Sequence, residues 1–144
     1  MRDAIGGSVT IVIITVFIVV VLAYLAFNVN YTKAFRMKNK IISLYDEYNG
    51  VCTNECESEI TNYARDVGYK SGNSSCASGW NPHSGYYCAK KERVSSSGGV
   101  NDLGEKYYYK IATQINIEIP IIQNVFRYQY FWITGDTKTF TSRR

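Results

Sequence analysis

Four cysteines and one histidine have the widest chemical reach in this chain: Cys52, Cys56, Cys76, Cys88 and His83. Such a set can hold zinc, supply a thiolate nucleophile or close disulfides. The spacing Cys-x3-Cys-x19-Cys-x11-Cys lacks the paired short knuckles of structural zinc sites, although His83 could replace one cysteine. A cysteine–histidine nucleophile needs a free thiol beside His83, and four cysteines that pair off leave none. An even set in a small, loop-rich module reads instead as a disulfide framework, the mark of an oxidising compartment. Three connectivities are open. In some of them Cys52 staples a helix to a later strand.

The remaining candidates carry less chemistry. His83 lies in a Gly/Ser/Pro loop with no acid near it in sequence. Gly6–Gly7 is followed by an apolar run rather than Gly-Lys-Ser/Thr, so it is no phosphate loop. Glu55, Glu57 and Glu59 fall on or near the exposed side of a helix N-terminus, where the dipole favours them. The aromatic run Tyr128, Tyr130, Phe131 and Trp132 could stack on bases or sugars, but these are also favoured strand residues and read first as core. With Trp80 and His83, the residues Tyr128, Tyr130 and Trp132 are the candidate partner contacts. The pattern implies no catalytic residues, no metal, no cofactor and no small-molecule substrate; the chain reads as a non-enzyme.

The elements that would position these residues begin with a membrane segment. From Ala4 to Thr32 there is no charge, and Val9–Val29 is almost wholly apolar. As a helix these 21 residues measure about 31 Å, enough to cross a hydrocarbon core of about 30 Å once. Tyr24, Phe27 and Tyr31 stand at its far end, where an aromatic belt belongs. The run is longer than a signal-peptide core, and no small-x-small cleavage site follows it. Of the chain's 144 residues, only about 95 remain for a folded module, one modest core. From residue 50 onward there are 11 basic and 9 acidic residues, which gives no concentrated basic face for nucleic acid. Lys33, Arg36, Lys38 and Lys40 follow the span, and the positive-inside tendency would put the module in the cytoplasm. The cysteines argue the opposite orientation, and on that ground the head is placed outside.

The helix is expected to continue from about Ser8 to Asn49, roughly 60 Å. Ala34, Met37, Ile41, Leu44/Tyr45 and Tyr48 form an apolar stripe at helical spacing, with Gly50 as the stop. A second helix starts at Asn54, with Glu57 completing a capping box and Gly68 ending it. Cys56, Ile60, Tyr63, Ala64 and Val67 share its inner face. Tyr86–Val94 reads as a strand between polar loops. Alternation from Tyr107 to Ile121 gives a long half-buried strand, with Pro120 near its end. A turn near Gln123–Asn124 leads to a strand with Phe126, Tyr128, Tyr130 and Trp132 on one face, bent or bulged at Gly135–Asp136 before Thr137–Thr141. The fold class is therefore α+β: a long N-terminal transmembrane and stalk helix packed against a small antiparallel β-sheet head, with a second short helix. Its organisation is a leader-like tail at 1–7, a transmembrane helix at 8–30, an amphipathic stalk at 31–50 and a disulfide-stabilised head at 51–144.

A short polar leader, a small-residue step, one long N-terminal helix and a disulfide-bearing α+β head together resemble type IV pilins and pseudopilins. Gly7-Ser-Val-Thr-Ile is similar to the start of the tight-adherence (Tad-type) minor pilins of the TadE kind. The resemblance implies cleavage between Gly7 and Ser8 by a prepilin-type peptidase. It also implies a structural role in a surface pilus or secretion apparatus, with other pilin-like subunits or assembly machinery and the bilayer as partners. The fifth mature position is Val12, where that pattern has glutamate. The other reading is a bitopic single-pass surface protein whose extracellular head binds a ligand or partner.

Overall fold

The computed structural model describes residues 2–70, 75–94, 106–116 and 130–141. The expected turn at Gln123–Asn124, the strand residues 117–121, Phe126 and the candidate contact Tyr128 lie outside the described residues, as does the side chain of Tyr130. Among the described residues two helices, α1 (Arg2–Glu47) and α2 (Asn54–Asp66), precede five strands: β1 (Asn81–His83), β2 (Tyr87–Arg93), β3 (Lys106–Asn116), β4 (Tyr130–Asp136) and β5 (Phe140–Thr141). The class is α+β, with a wholly antiparallel sheet in the order β1-β2-β3-β4 and β5 also paired to β3.

Helix α1 has 46 residues, about 69 Å, and starts at Arg2 rather than Ser8. From Val9 to Leu22 every residue is exposed, Phe17 by 67 %. It is the one helix among the described residues long and apolar enough to cross a membrane. Its second half is the spine of the head. Ala34, Met37, Ile41, Leu44 and Tyr45 are buried, and Tyr48 is half-buried, as the stripe requires. Asn49 takes the left-handed conformation at the helix end, so the stop falls one residue before the expected Gly50, whose amide bonds back to Tyr45 O at 2.8 Å.

On the sheet, Ile111, Thr113 and Ile115 face α1, and the Thr113 hydroxyl donates to Ala34 O at 3.1 Å. Ile60, Ala64 and Cys56 of α2 close the same core. The centre of β3 is not half-buried as its alternation predicts. Ala112 and Gln114, on the opposite face, are also buried. A polar or neutral residue at an outer position tells nothing of a loop that later folds over it. In β4 the residues paired with this inner face are Phe131 (to Ile115), Ile133 (to Thr113) and Gly135 (to Ile111). Trp132 therefore belongs to the outer face, and its neighbour Phe131 packs edge-on against Phe27 of α1.

No bulge occurs at Gly135–Asp136, which stay in register with Ile111 and Lys110. It falls just beyond. Between the pairs Lys110↔Asp136 and Tyr107↔Phe140, residues 137–139 stand opposite Tyr108 and Tyr109 alone. The extra residue is fixed by α1: Lys138 donates its amide to Asp46 Oδ1 at 3.1 Å and its ammonium to Asp46 O at 2.6 Å.

Candidate functional site

The disulfides are Cys52–Cys56 and Cys76–Cys88. Cys52 thus closes on its own helix and does not staple α2 to a strand. The second bridge ties the loop before β1 to β2, and no cysteine is free. The helix begins one residue earlier than the capping box requires, with Thr53 at the cap and no side-chain cap bond. Glu57 is released from that duty and turns elsewhere.

Its destination is the tip of the β1–β2 hairpin. Residues 81–83 read as loop but pair as an edge strand, which tolerates Pro82 because its missing N–H faces outward. Ser84 and Gly85 then turn the chain with positive φ, closed by Tyr86 N donating to His83 O at 3.1 Å. This hairpin carries His83, Ser84 and Tyr87 to one carboxylate. His83 Nδ1 lies 3.1 Å from Glu57 Oε1 and Tyr87 Oη donates to the same oxygen at 2.9 Å, while the Ser84 hydroxyl donates to Oε2. A carboxylate only accepts, so His83 donates through Nδ1–H. Tyr45 of α1 completes the chain 3.2 Å from Tyr87 Oη. Because the Tyr87 hydroxyl proton is engaged with Glu57, Tyr45 donates to Tyr87. The His83 ring stacks on Tyr87, with centroids 5.2 Å apart.

The chemistry of this cluster is that of a clamp. Burial pushes the Glu57 carboxyl up, but hydrogen bonds from His83, Ser84 and Tyr87 outweigh it and hold the group below the usual carboxylate range. Burial raises Tyr45 to about 12 and Tyr87 well above its ordinary value, so both phenols stay protonated donors. Ser84 is bonded to the carboxylate and not to the imidazole; the order nucleophile–base–orienting acid of a hydrolytic triad is absent from this group. Three elements meet at one carboxylate. The sequence hid this because Glu57 and His83 are 26 residues apart and each has a local explanation of its own.

Of the candidate contacts, the structure brings two together. Trp80 and Trp132 line a shallow, mainly apolar cleft of about 120 Å³ on the outer face of the sheet, floored by Ala112 and the Cys88 end of the disulfide, with Ala77 and Thr134 at the sides. His83 is not with them; it is engaged at the Glu57 clamp. On the same sheet face Glu92 joins Lys90 at 3.0 Å, Lys110 at 3.1 Å and the Tyr108 hydroxyl at 2.8 Å, bonds that hold its carboxyl down at about 2. Among the described residues no three His, Cys, Asp or Glu side chains converge to hold a metal. No family model matches this chain, nor does any curated protein or solved structure compared with it.

Proposed function

We propose that this chain is a membrane-anchored, pilin-like structural subunit, a minor pilin or pseudopilin, of a surface filament or secretion apparatus. One observation carries the reading. A single unbroken helix is exposed and apolar from Val9 to Leu22 and becomes the core of a folded head in its second half. Apolar helix surface left bare to this extent calls for lipid or for other such helices. A rod made continuous with the core holds the head at a fixed orientation to whatever packs on the rod. The disulfides and the Glu57 clamp would then resist shear and proteolysis outside the cell.

The test is the mass of the native N-terminus together with the fraction in which the chain is found. A chain beginning at Ser8 and recovered with sheared filaments is the expected result. One beginning at Met1 and never found in a filament would overturn the reading. Alkylation of intact cells tests orientation: the four cysteines should be inaccessible to alkylation until a reductant is added.

The Trp80–Trp132 cleft favours a second reading, a bitopic surface protein whose head takes a partner's apolar or sugar group between two indoles. Trp80→Ala and Trp132→Ala would then abolish partner capture without affecting membrane attachment.

A further inference from the structure

Where α1 leaves its apolar run the head forms a cavity of about 290 Å³, lined by Asn30 and Lys33 of α1, by Gly68, Tyr69 and Lys70 behind α2, and by Asn116 at the end of β3. None of these six is acidic. Lys33 donates one of its three ammonium protons to Gly68 O at 3.3 Å, which holds the charge at the rim with two donors to spare. Tyr69 forms a fixed wall: its hydroxyl donates to Gln114 O at 2.8 Å and accepts from Gln114 N at 3.0 Å. The described residues that line this space include two lysines and two asparagines and no carboxylate, a donor set that suits a phosphate anion.

The depth of the cavity identifies the source. Asn30 follows Val29, the last residue of the apolar run, so it stands about 1.5 Å beyond the hydrocarbon boundary and Lys33 about 6 Å beyond it. Each headgroup layer of a bilayer is about 5–7 Å thick. One turn back along α1 from Asn30, half-exposed Phe131 rests on Phe27, an aromatic contact at interface height. We propose that this cavity binds the phosphate of an anionic lipid headgroup. The inference rests on the membrane-anchored reading of α1. It gives Lys33 a function other than reporting which side of the membrane faces the cytoplasm, and so removes part of the conflict between the basic flank and the cysteines.

The test uses the full chain in detergent, examined by native mass spectrometry with phosphatidylglycerol, phosphatidylcholine or free glycerol 3-phosphate, and in parallel by flotation with phosphatidylcholine vesicles. One phosphatidylglycerol should stay bound, with little phosphatidylcholine and no glycerol 3-phosphate. Lys33→Gln and Lys70→Gln should each lower its retention about fivefold. Lys33→Arg should keep it, and so should Lys40→Gln, a stalk lysine that does not line the cavity. Lys33 also ties α1 to the chain that leaves α2, so Lys70→Gln decides the matter if Lys33→Gln loosens the head. Equal retention of phosphatidylcholine, wild-type retention by the Lys70 variant, or equal loss in the Lys40 variant would overturn the inference. Binding of glycerol 3-phosphate as tight as that of the lipid would assign a soluble phosphate and overturn the lipid source. Failure to float with neutral vesicles would overturn the membrane reading itself, whereas flotation without headgroup preference overturns only the cavity.

Discussion

Tyr87 Oη and Glu57 Oε1 lie 2.9 Å apart, and through that one bond strand β2 is fastened to helix α2. His83 and Ser84 share the carboxylate and Tyr45 extends the chain to α1. The bond is charge-assisted and half-buried, which makes it costly to break. Glu57→Ala leaves a buried phenol short of its acceptor and should destabilise the head by about 1–3 kcal/mol in urea unfolding.

The same carboxylate sets an acid limit. Its folded pKa lies below the unfolded value of about 4.3, so its contribution is complete above that pH and is lost as pH falls through the folded value. Urea midpoints should stay level from neutrality to about pH 5 and drop in stronger acid. In Glu57→Gln the acid drop should be shallower. An identical acid limb in both proteins would remove Glu57 from this role.

Gly50 carries two constraints at once. Its φ is +78°, and an added Cβ would come within 2.9 Å of the buried Phe140 ring. Gly50→Ala should therefore combine left-handed strain with overpacking, about 2–4 kcal/mol in the same unfolding measurement. A loss below 1 kcal/mol would mean that Phe140 can move aside.

The two disulfides close loops of different size, and the chain-entropy model ranks them. With a sequence separation of 12, Cys76–Cys88 should contribute about 3 kcal/mol, and Cys52–Cys56, with a separation of 4, about 2 kcal/mol. Paired alanine variants compared in urea test the order. Peptide mapping without reductant should return the same two pairings.

Along α1 the outcome of truncation should change sharply with position. Ile41 is fully buried, and Ile41→Ala should cost the head about 2–5 kcal/mol. Val20 is 60 % exposed, so Val20→Ala should leave the head's melting unchanged. Val20→Lys should instead reduce membrane insertion, at about 2.5–3.5 kcal/mol for a charge mid-span. A head that melts early in the Val20 variants would show that the rod is not independent of it.

Much of the architecture is written in period and composition. The apolar run Val9–Val29, the stalk stripe Ala34–Met37–Ile41–Leu44, the inner face Cys56–Ile60–Ala64 and the alternation of Ile111–Thr113–Ile115 can each be read locally. Burial of one face imposes a period of 3.6 or 2 on neighbouring residues. Tertiary structure alone decided what depends on distant partners. Which cysteines met and which face of β4 turned to the helix depend on pairings across the fold, and Ala112 and Gln114 are covered by residues of the loop before β1, Ala77 and Trp80 beside the one and Tyr69 bonded to the other. Glu57 left its capping role for a hairpin 26 residues away, and the cavity at Lys33 gathers residues from three elements. No period records such meetings, because the energy resides in pairs far apart in sequence and each member has a satisfactory local alternative.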